Sequence, residues 1–283
     1  MNIFLLIAIL LIAGILIAIL ATMIGIGGGL ANVPFLIYLM NQDPKFATLV
    51  SSSVIICTST TSFLNYRRDN KIDYKTFKQY IPLVVIGSII GGFAAESLPT
   101  HLIKQVFGIF VIASGIRGVR RSFFASKSED EANPVLNPDS PNYRKIIDRD
   151  GNEYEYEVKL KTGQFFALLG GLLAGTIGVG GGIVFVPLLN IISDVPIHVA
   201  APTSMTMIVV SSTIAVITRL SIIIRSGDPF DWAKYFTYVI PMGLGSVIGA
   251  TIGPRRVKRV NSKQLLGLFW ATAVLAGIRM LIG

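Results

Sequence analysis

Two glycine-rich turns are the parts of this 283-residue chain best suited to binding a ligand. The first is GIGGGLANVPFL, residues 25–36, and the second is GVGGGIVFVPLL, residues 178–189. Each follows a long apolar stretch, where consecutive glycines interrupt helix formation. Non-helical backbone in hydrocarbon leaves N–H and C=O groups without partners, so it occurs only where protein or a water-filled cavity satisfies them. The turns therefore indicate a cavity.

The chemistry of these turns favours an anion. Glycines let a ligand approach the backbone closely, and helices that restart at Leu30 and Ile183 would direct their positively polarised N–H groups at the cavity. Close helix packing through small residues is the alternative for either turn alone. The glycines predicted to form the binding surface are Gly25, Gly27, Gly28 and Gly29 in the first turn and Gly178, Gly180, Gly181 and Gly182 in the second.

Runs of hydroxyl side chains follow each turn. SSSVIICTSTTS spans residues 51–62, and TSMTMIVVSST spans residues 203–213. Hydroxyls are neutral donors suited to an oxyanion that must bind and leave again. Hydrogen bonds to carbonyls of their own helix are the ordinary alternative for each of them. The four predicted to face the glycines are Ser51, Ser52, Thr203 and Ser204.

Three further side chains are candidates on weaker grounds. Asn32 follows the first glycines and offers an amide, although Phe185 stands at the equivalent place after the second turn. Cys57 could touch a sulfur-containing ligand or serve as a small apolar filler. Arg219 lies within an apolar segment, where it would either line an anion vestibule or extend to the outer interface.

An internal repeat relates the two turns. Gly25 aligns with Gly178 at a constant offset of 153 residues, and the same offset places Ser51 over Ser204. KQVFGIF, residues 104–110, also resembles KQLLGLF, residues 263–269. A long repeat in a membrane protein is typical of a transporter built from two related halves with the substrate site between them.

Composition predicts an all-α polytopic membrane protein, since 52% of residues are hydrophobic and only 14% are charged. Each repeat would contain a glycine-broken, re-entrant helical element and three membrane-spanning helices. The predicted domains are a first repeat at 1–121, a linker at 122–161 and a second repeat at 162–283. The broken elements are 3–40 and 163–192, and the predicted spans are 47–66, 80–97, 102–119, 200–224, 233–253 and 263–282.

Basic loops predict the orientation. The basic loop at 67–78 follows the first full span, whereas the basic loop at 255–263 follows the second full span of the other half. The positive-inside rule puts both in the cytoplasm, which makes the repeats inverted and the linker cytoplasmic. The loop with Asp194 and His198 should then be cytoplasmic too, although it contains no Lys or Arg. Asp150-Gly151 predicts a small, solvated β-hairpin in the linker.

Other classes of function lack their signatures. The net charge of +9 lies in loops beside apolar segments, so we assign it to topology and expect no nucleic-acid partner. The single cysteine provides neither a disulfide framework nor a multi-cysteine metal site. No nucleotide-binding or hydrolase motif is present, so we expect neither an enzyme nor a cofactor. Glu96 is the only acid in a span, which argues against a dedicated proton relay.

The duplicated G-[IV]-G-G-G…V-P-x-L pattern, with small and serine residues at 47–53 and 200–206, resembles the sulfite exporter TauE/SafE family. The resemblance covers the chain except for the insert at 122–161. It implies passage of small, often sulfur-containing anions across the cytoplasmic (inner) membrane of a prokaryote. It also implies that the glycine turns and the hydroxyl-bearing helix starts form the substrate region.

The sequence therefore predicts a secondary transporter of sulfite, thiosulfate or an organosulfonate that works by alternating access in the lipid bilayer. One alternative is a channel-like anion pathway, which the lack of buried carboxylates would suit. Another is a membrane scaffold or assembly protein that acts through the insert. The particular anion, the direction, the coupling ion and any homo-oligomer are left open.

Overall fold

The computed structural model of the protein describes residues 3–99, 138–227 and 229–256, with isolated residues between 101 and 112 and at 274 and 278. Within these residues, six helices are long and apolar enough to cross a membrane. The predicted multi-pass helical architecture is confirmed. The predicted spans at 102–119 and 263–282 lie almost entirely outside the described residues.

The first repeat begins with a long apolar helix and continues through a short one after the glycine turn. Asp43 and Asp73 cap the two longer helices that follow, because each carboxylate accepts hydrogen bonds from backbone N–H groups of the first helical turn. The elements are α1, Ile3–Ile24; α2, Gly29–Pro34, with a π-helix at Phe35–Leu39; α3, Pro44–Arg68; and α4, Tyr74–Ser97.

The second repeat has the same order of elements. Adding the offset of 153 residues to the bounds of α2, its π-helix and the start of α3 gives the bounds found here. The sequence repeat is thus also a structural one. The elements are α5, Leu160–Ile177; α6, Gly182–Pro187, with a π-helix at Leu188–Ile192; α7, Ile197–Ser226; and α8, Trp232–Arg256.

Each short helix becomes a π-helix directly after its proline, Pro34 or Pro187. Proline has no N–H and crowds the carbonyl four residues before it, so the helix widens there. The α-helical and π-helical parts of the first arm have six and five residues. At about 1.5 Å per residue such an arm extends about 16 Å, roughly half the hydrocarbon thickness. As predicted, the arms are too short to cross.

Contacts between the helices fix their directions. Arg219, late in α7, donates to Thr48 in the first turns of α3. The backbone N–H of Asp73, just beyond the end of α3, donates to Thr203 at the start of α7. The two equivalent helices α3 and α7 therefore run antiparallel.

The glycine turn reverses the chain. In α1 and α8, Leu11 packs against Gly245 and Ile15 against Gly249, so these two helices run in the same direction. Helices α3 and α8 also run in the same direction, because Ser53 bonds to Tyr235 in the first half of both helices and Asn65 to Ala250 in the second half. Since α1 and α3 share a direction, Gly29–Leu39 must return the chain to the side from which α1 came.

The long helices end at two opposite faces of the molecule. The hairpin face carries Arg68, Tyr74 and the two β-strands of the linker. The far face carries Pro44, Ser97 and Ser226. Helix α3 runs from the far face to the hairpin face, and helix α7 runs in the opposite direction.

The first helix of each repeat packs on a helix of the other repeat. Helix α1 lies along α8, and α5 lies along α4. In the second pair, Gly87 and Gly91 contact the backbone of α5, while Gly171 and Gly175 contact the backbone of α4. Glycines four residues apart let helix backbones approach closely, which is a common mode of association in membranes. The two repeats are therefore interlocked.

The predicted hairpin is present. Strands β1, Tyr143–Ile147, and β2, Glu153–Glu157, pair antiparallel, and Gly151 in the connecting turn has a φ of 83°. The expectation of a solvated element was wrong for one of its sides. Arg144, Tyr156 and Val158 are at most 5% exposed, because the strands pack over the start of α4.

The hairpin segment also provides a positive charge beside the loop with Asp194 and His198, which contains no Lys or Arg. Lys159, just after β2, forms an ion pair with Asp194 at 2.7 Å, and its backbone N–H donates to Ser193. The hydrogen-bonded partner Asp194 helps to raise the pKa of Lys159 above its usual range. The missing positive charge of this loop therefore comes from a neighbouring segment.

Candidate functional site

The two glycine turns lie against each other inside the helix layer. A Cβ on Gly29 would overlap the backbone of Val179 in the second turn, and one on Gly182 would overlap Ile26 in the first. Gly27 and Gly180 both pack on Ile55 of α3 and Ile208 of α7, which are themselves equivalent. The structure therefore joins the two turns that the sequence treats as a pair.

Backbone geometry explains why glycine occupies these positions. Six of the glycines have φ between 71° and 96°, a region that side chains with a Cβ rarely adopt. Ile26 or Val179 separates the first glycine of each turn from the rest. The six are Gly25, Gly27, Gly28, Gly178, Gly180 and Gly181.

Two serines cross-link the turns. Ser51 of the first repeat donates to the carbonyl oxygen of Gly178 at 2.7 Å, and Ser204 of the second donates to that of Gly25 at 3.1 Å. The sequence predicted that these serines face glycine turns, and the structure shows that each faces the turn of the other repeat. Both hydroxyl hydrogens are used by carbonyls, so an anion would have to bind other donors.

Such donors are present in the backbone. Gly27, Gly28, Gly180 and Gly181 are buried and lie outside the helices. Within the described part of the chain, none of the hydrogen bonds outside helices uses their N–H groups as donors. Buried backbone N–H groups are nearly always paired in folded proteins. The N–H groups of these four glycines are therefore candidate donors for a ligand or ordered water.

Asn32 adds a side-chain amide to the first turn. It is 1% exposed, and its Oδ1 has no hydrogen-bond partner. Its Nδ2 lies 3.6 Å from the place of a Cβ on Gly28. At the equivalent position, the Phe185 ring is fully buried against Gly181. The amide therefore belongs to only one of the two turns.

Three predicted site residues have other surroundings. Ser52 donates to the carbonyl of Thr48 in its own helix. Thr203 accepts the backbone N–H of Asp73 at the hairpin face. Cys57 lies beside Gly243 of α8, 3.3 Å from the place of a Cβ there. None of these contacts involves a glycine turn, because the side chains leave α3 or α7 on other sides.

Arg219 neither reaches the outer interface nor lines an open vestibule. It is 1% exposed, and its guanidinium donates to the carboxylate of Glu96 and the hydroxyl of Thr48, both at 2.9 Å. A third hydrogen bond, at 2.8 Å, goes to the carbonyl of Lys45. Glu96 and Arg219 were candidates on separate grounds in the sequence, and their pairing was not predicted. The helix topology could have predicted this pair, since the end of α4 and the end of α7 reach the same face.

Two serines of α7 were also missed. Ser211 donates to the carbonyl oxygen of Gly180 at 2.9 Å. Ser212 is fully buried, and its Oγ has no hydrogen-bond partner. The place of a Cβ on Gly180 is 3.0 Å from this oxygen. Both serines follow Ile208 by about one helical turn, and Ile208 packs on both glycine turns. This spacing could have predicted that the serines lie near the turns.

A polar cluster closes the hairpin face. The Asp73 carboxylate accepts a hydrogen bond from the hydroxyl of Tyr156 at 2.8 Å, and Arg144 lies 3.8 Å away. Burial and the negative charge of Asp73 both raise the pKa of Tyr156. Because the backbone N–H of Asp73 also bonds to Thr203, this cluster connects the hairpin, the start of α4 and the start of α7.

The turn of the hairpin is fixed by Asp148. Its carboxylate accepts hydrogen bonds from Asn152 and from the backbone N–H of Asp150, and it faces Lys71 at 3.5 Å. Hydrogen bonds from Asn152, followed by the charge of Lys71, lower the pKa of Asp148 to about 2. Among the described residues, no group of three or more His, Cys, Asp and Glu side chains could hold a metal ion.

Comparison with known proteins identifies the family. The model of the sulfite exporter TauE/SafE family matches residues 10–280. The chain belongs to this family. The resemblance deduced from the duplicated motif is thereby confirmed, and the match spans both repeats and the linker.

Relatives in this family are named as membrane transporters. The probable membrane transporter protein YunE of Bacillus subtilis is 26% identical over 280 residues, which is 96% of each chain. A probable membrane transporter of Methanocaldococcus jannaschii is 27% identical over 223 residues, or 77% of this chain and 73% of the relative. No solved structure matches the chain. The family and these relatives place the chain among multi-pass membrane transporters.

Proposed function

We propose that this TauE/SafE family member is a secondary transporter that carries a small sulfur oxyanion or organosulfonate across the cytoplasmic membrane of a prokaryote. The observation that carries the proposal is the group of buried backbone N–H donors at the paired glycine turns. Backbone donors in a low-dielectric site bind oxyanions without a fixed positive charge, so the anion can also leave.

The substrate class follows from the chemistry of the site and the family. Sulfite, thiosulfate and sulfonates present several oxygen acceptors to donors that surround them. Asn32 would supply a further donor through its amide, and the backbone at Gly27 and Gly180 would supply donors from both repeats. The name of the sulfite exporter family supports a sulfur-containing anion over other small anions.

Antiparallel packing of equivalent helices supports inverted repeats and alternating access. Polar contacts lie on both sides of the turns: Arg219 joins the repeats at the far face, and Thr203 joins them at the hairpin face. We infer that transport opens one of these closures at a time while the turns hold the anion. The two closures also favour a carrier over a continuously open channel.

The hairpin face is assigned to the cytoplasm. Its loops carry the basic residues that the positive-inside rule requires, and Lys159 supplies a charge beside the loop with Asp194. With this assignment both re-entrant arms return to the side from which their repeat entered. The far face, with Glu96 and Arg219, is then outside.

Flux measurements test the proposal. Purified protein in liposomes would be supplied with labelled sulfite, thiosulfate or sulfoacetate. In the variant Gly28→Ala, the new Cβ has ordinary contacts of 3.4 Å or more, but it must adopt a φ of 96° and narrows the donor site. We expect saturable flux of at least one anion, reduced about tenfold or more in this variant, which corresponds to about 1.4 kcal/mol.

Gly227→Ala is the matched control. Gly227 also has a positive φ, 71°, but nothing lies within 4 Å of its added Cβ. It carries the same kind of backbone strain away from the site, so its flux should remain near that of the wild type. Equal flux losses in both variants would make the glycines structural and contradict the proposal, as would a wild type that transports none of the three anions.

A further inference from the structure

Arg219 and Glu96 form an ion pair between the two repeats at the far face. Arg219 belongs to α7 of the second repeat, whereas Glu96 ends α4 of the first, and their charged atoms are 2.9 Å apart. The Arg219 side chain is 1% exposed, but the Glu96 side chain is 21% exposed. The cation is therefore enclosed, and its anionic partner remains accessible.

A single residue, Thr48, lies between the same guanidinium and the second glycine turn. The guanidinium donates to the hydroxyl of Thr48, and the backbone of Thr48 is in direct contact with Gly178. Ser51, one helical turn later, donates to the carbonyl of that glycine. A continuous set of contacts thus leads from the accessible carboxylate through Arg219 to the turn.

The first repeat has no such charge. Tyr66 stands at the position equivalent to Arg219, and its neutral hydroxyl donates to the carbonyl of Thr22. Arg219 therefore has no charged equivalent in the first repeat. An ion pair that served only to join the two repeats would not need to be present in one repeat and absent from the other.

We propose that Arg219 is an anion-binding residue of the transport path, and that Glu96 occupies its guanidinium until the substrate replaces the carboxylate from the far face. This inference rests on the proposed function and adds a second binding position to it. A guanidinium matches the planar pair of oxygens of a carboxylate and also binds the oxygens of a sulfonate or sulfite. Thr48 then holds Arg219 in place while its anionic partner changes.

Exchange of this kind predicts opposite effects on KM in two variants, one single and one double. In Glu96→Gln the guanidinium has no competing carboxylate, so external anion should bind more tightly and leave more slowly. We expect KM to fall about fivefold or more, and the maximal rate to fall as well. In the double variant Arg219→Met with Glu96→Gln, no uncompensated charge is buried, and KM should rise about tenfold or more.

The experiment uses the full chain in liposomes with sulfite, thiosulfate and sulfoacetate, each tested in turn. Thermal unfolding of the same variants with and without each anion provides a second readout. Glu96→Gln should be stabilised by the anion more strongly than the wild type, and the double variant less strongly. Asp194→Asn, which removes an exposed ion pair at the hairpin face, is the control. It should change neither KM nor the stabilisation by the anion.

Two outcomes would overturn the inference while leaving the proposed function in place, and a third would overturn both. KM values within about twofold of the wild type in Glu96→Gln and in the double variant would show that the pair only joins the repeats. If the double variant did not fold, Arg219→Lys would keep the charge and lose the planar fork, so an unchanged KM there would also overturn it. No saturable flux in the wild type would overturn both proposals.

Discussion

The two glycine turns share a backbone and differ in what surrounds it. Their equivalent glycines have φ values within about 20° of each other, 81° and 71° at Gly25 and Gly178 and 96° and 75° at Gly28 and Gly181. Around the first turn lies a buried amide, Asn32, whereas the Phe185 ring fills that place in the second turn. Near the second lies Arg219, whose counterpart in the first repeat is neutral.

The two copies of the turn have kept some features alike and differ in others. Contacts between the turns leave no room for a Cβ, so both copies must keep glycine there. Side chains that only approach the turns are free to differ. We infer that the shared backbone forms the cavity and that the differing side chains determine which anion binds and from which face.

The largest predicted effect tests the shared part. Gly29→Ala and Gly182→Ala each force a Cβ into the backbone of the other turn. Overpacking of this kind should lower the free energy of unfolding by about 2 kcal/mol or more in both variants. Thermal unfolding in detergent would measure it. A clear loss in one variant and none in the other would break the equivalence of the two turns.

The next prediction tests the difference. Asn32→Leu removes the buried amide, and KM for the transported anion should rise about tenfold, as expected for a lost hydrogen bond to a charged group. Phe185→Leu, by contrast, should lower stability by about 1 kcal/mol and leave KM within about twofold. Concentration-dependent flux of both variants checks this. A KM shift in Phe185→Leu as large as that in Asn32→Leu would contradict the assignment of the amide to binding.

A smaller difference is expected between the two cross-linking serines. Ser51→Ala leaves the buried carbonyl of Gly178 without its donor, so stability should fall by about 1–2 kcal/mol. Ser204 is also within hydrogen-bonding distance of Ala201 in its own helix, and its bond to Gly25 is longer. Ser204→Ala should therefore cost about half as much. Chemical denaturation of both variants would rank them, and the reverse order would refute this reasoning.

The smallest effect is expected at the hairpin face. Val50 occupies the position in the first repeat that Thr203 occupies in the second. Thr203→Val makes the repeats alike there and leaves the N–H of Asp73 without its acceptor. We expect a loss of about 1 kcal/mol, at the low end for an unpaired buried donor, because the carboxylate of Asp73 still holds the hairpin through Tyr156. Hydrogen exchange of the hairpin should rise slightly, and unchanged exchange would argue against this closure.

Much of the fold could be predicted because it follows from local composition. Apolar length predicts the helices, glycines predict the breaks, and Asp150-Gly151 predicts the hairpin. The offset of 153 residues also relates the bounds of α6 and the start of α7 to those of α2 and α3. Docking of the hairpin could not be predicted, because the burial of Arg144 and Tyr156 depends on a surface formed by distant segments.

The contacts of the candidate site residues could be predicted in part for the same reason. Ser51 and Ser204 could be found because the repeat places them in register with the turns. The positions of Ser52, Cys57 and Thr203 could not, because the direction in which a side chain leaves a buried helix depends on how the neighbouring helices pack. The ion pair between Glu96 and Arg219 joins two segments far apart in sequence, and charge spacing carries no sign of such a contact.

The interlocked packing of the first helices has a consequence for biosynthesis. Helix α1 leaves the ribosome long before α8, the helix on which it packs, has been made. Its only polar side chain is Thr22, which donates to the carbonyl of Ala18 within the same helix. Such a helix can remain alone in the lipid without unpaired groups. The uniformly apolar sequence of α1 thus suits a helix that is inserted into the membrane before its partner α8 has been made.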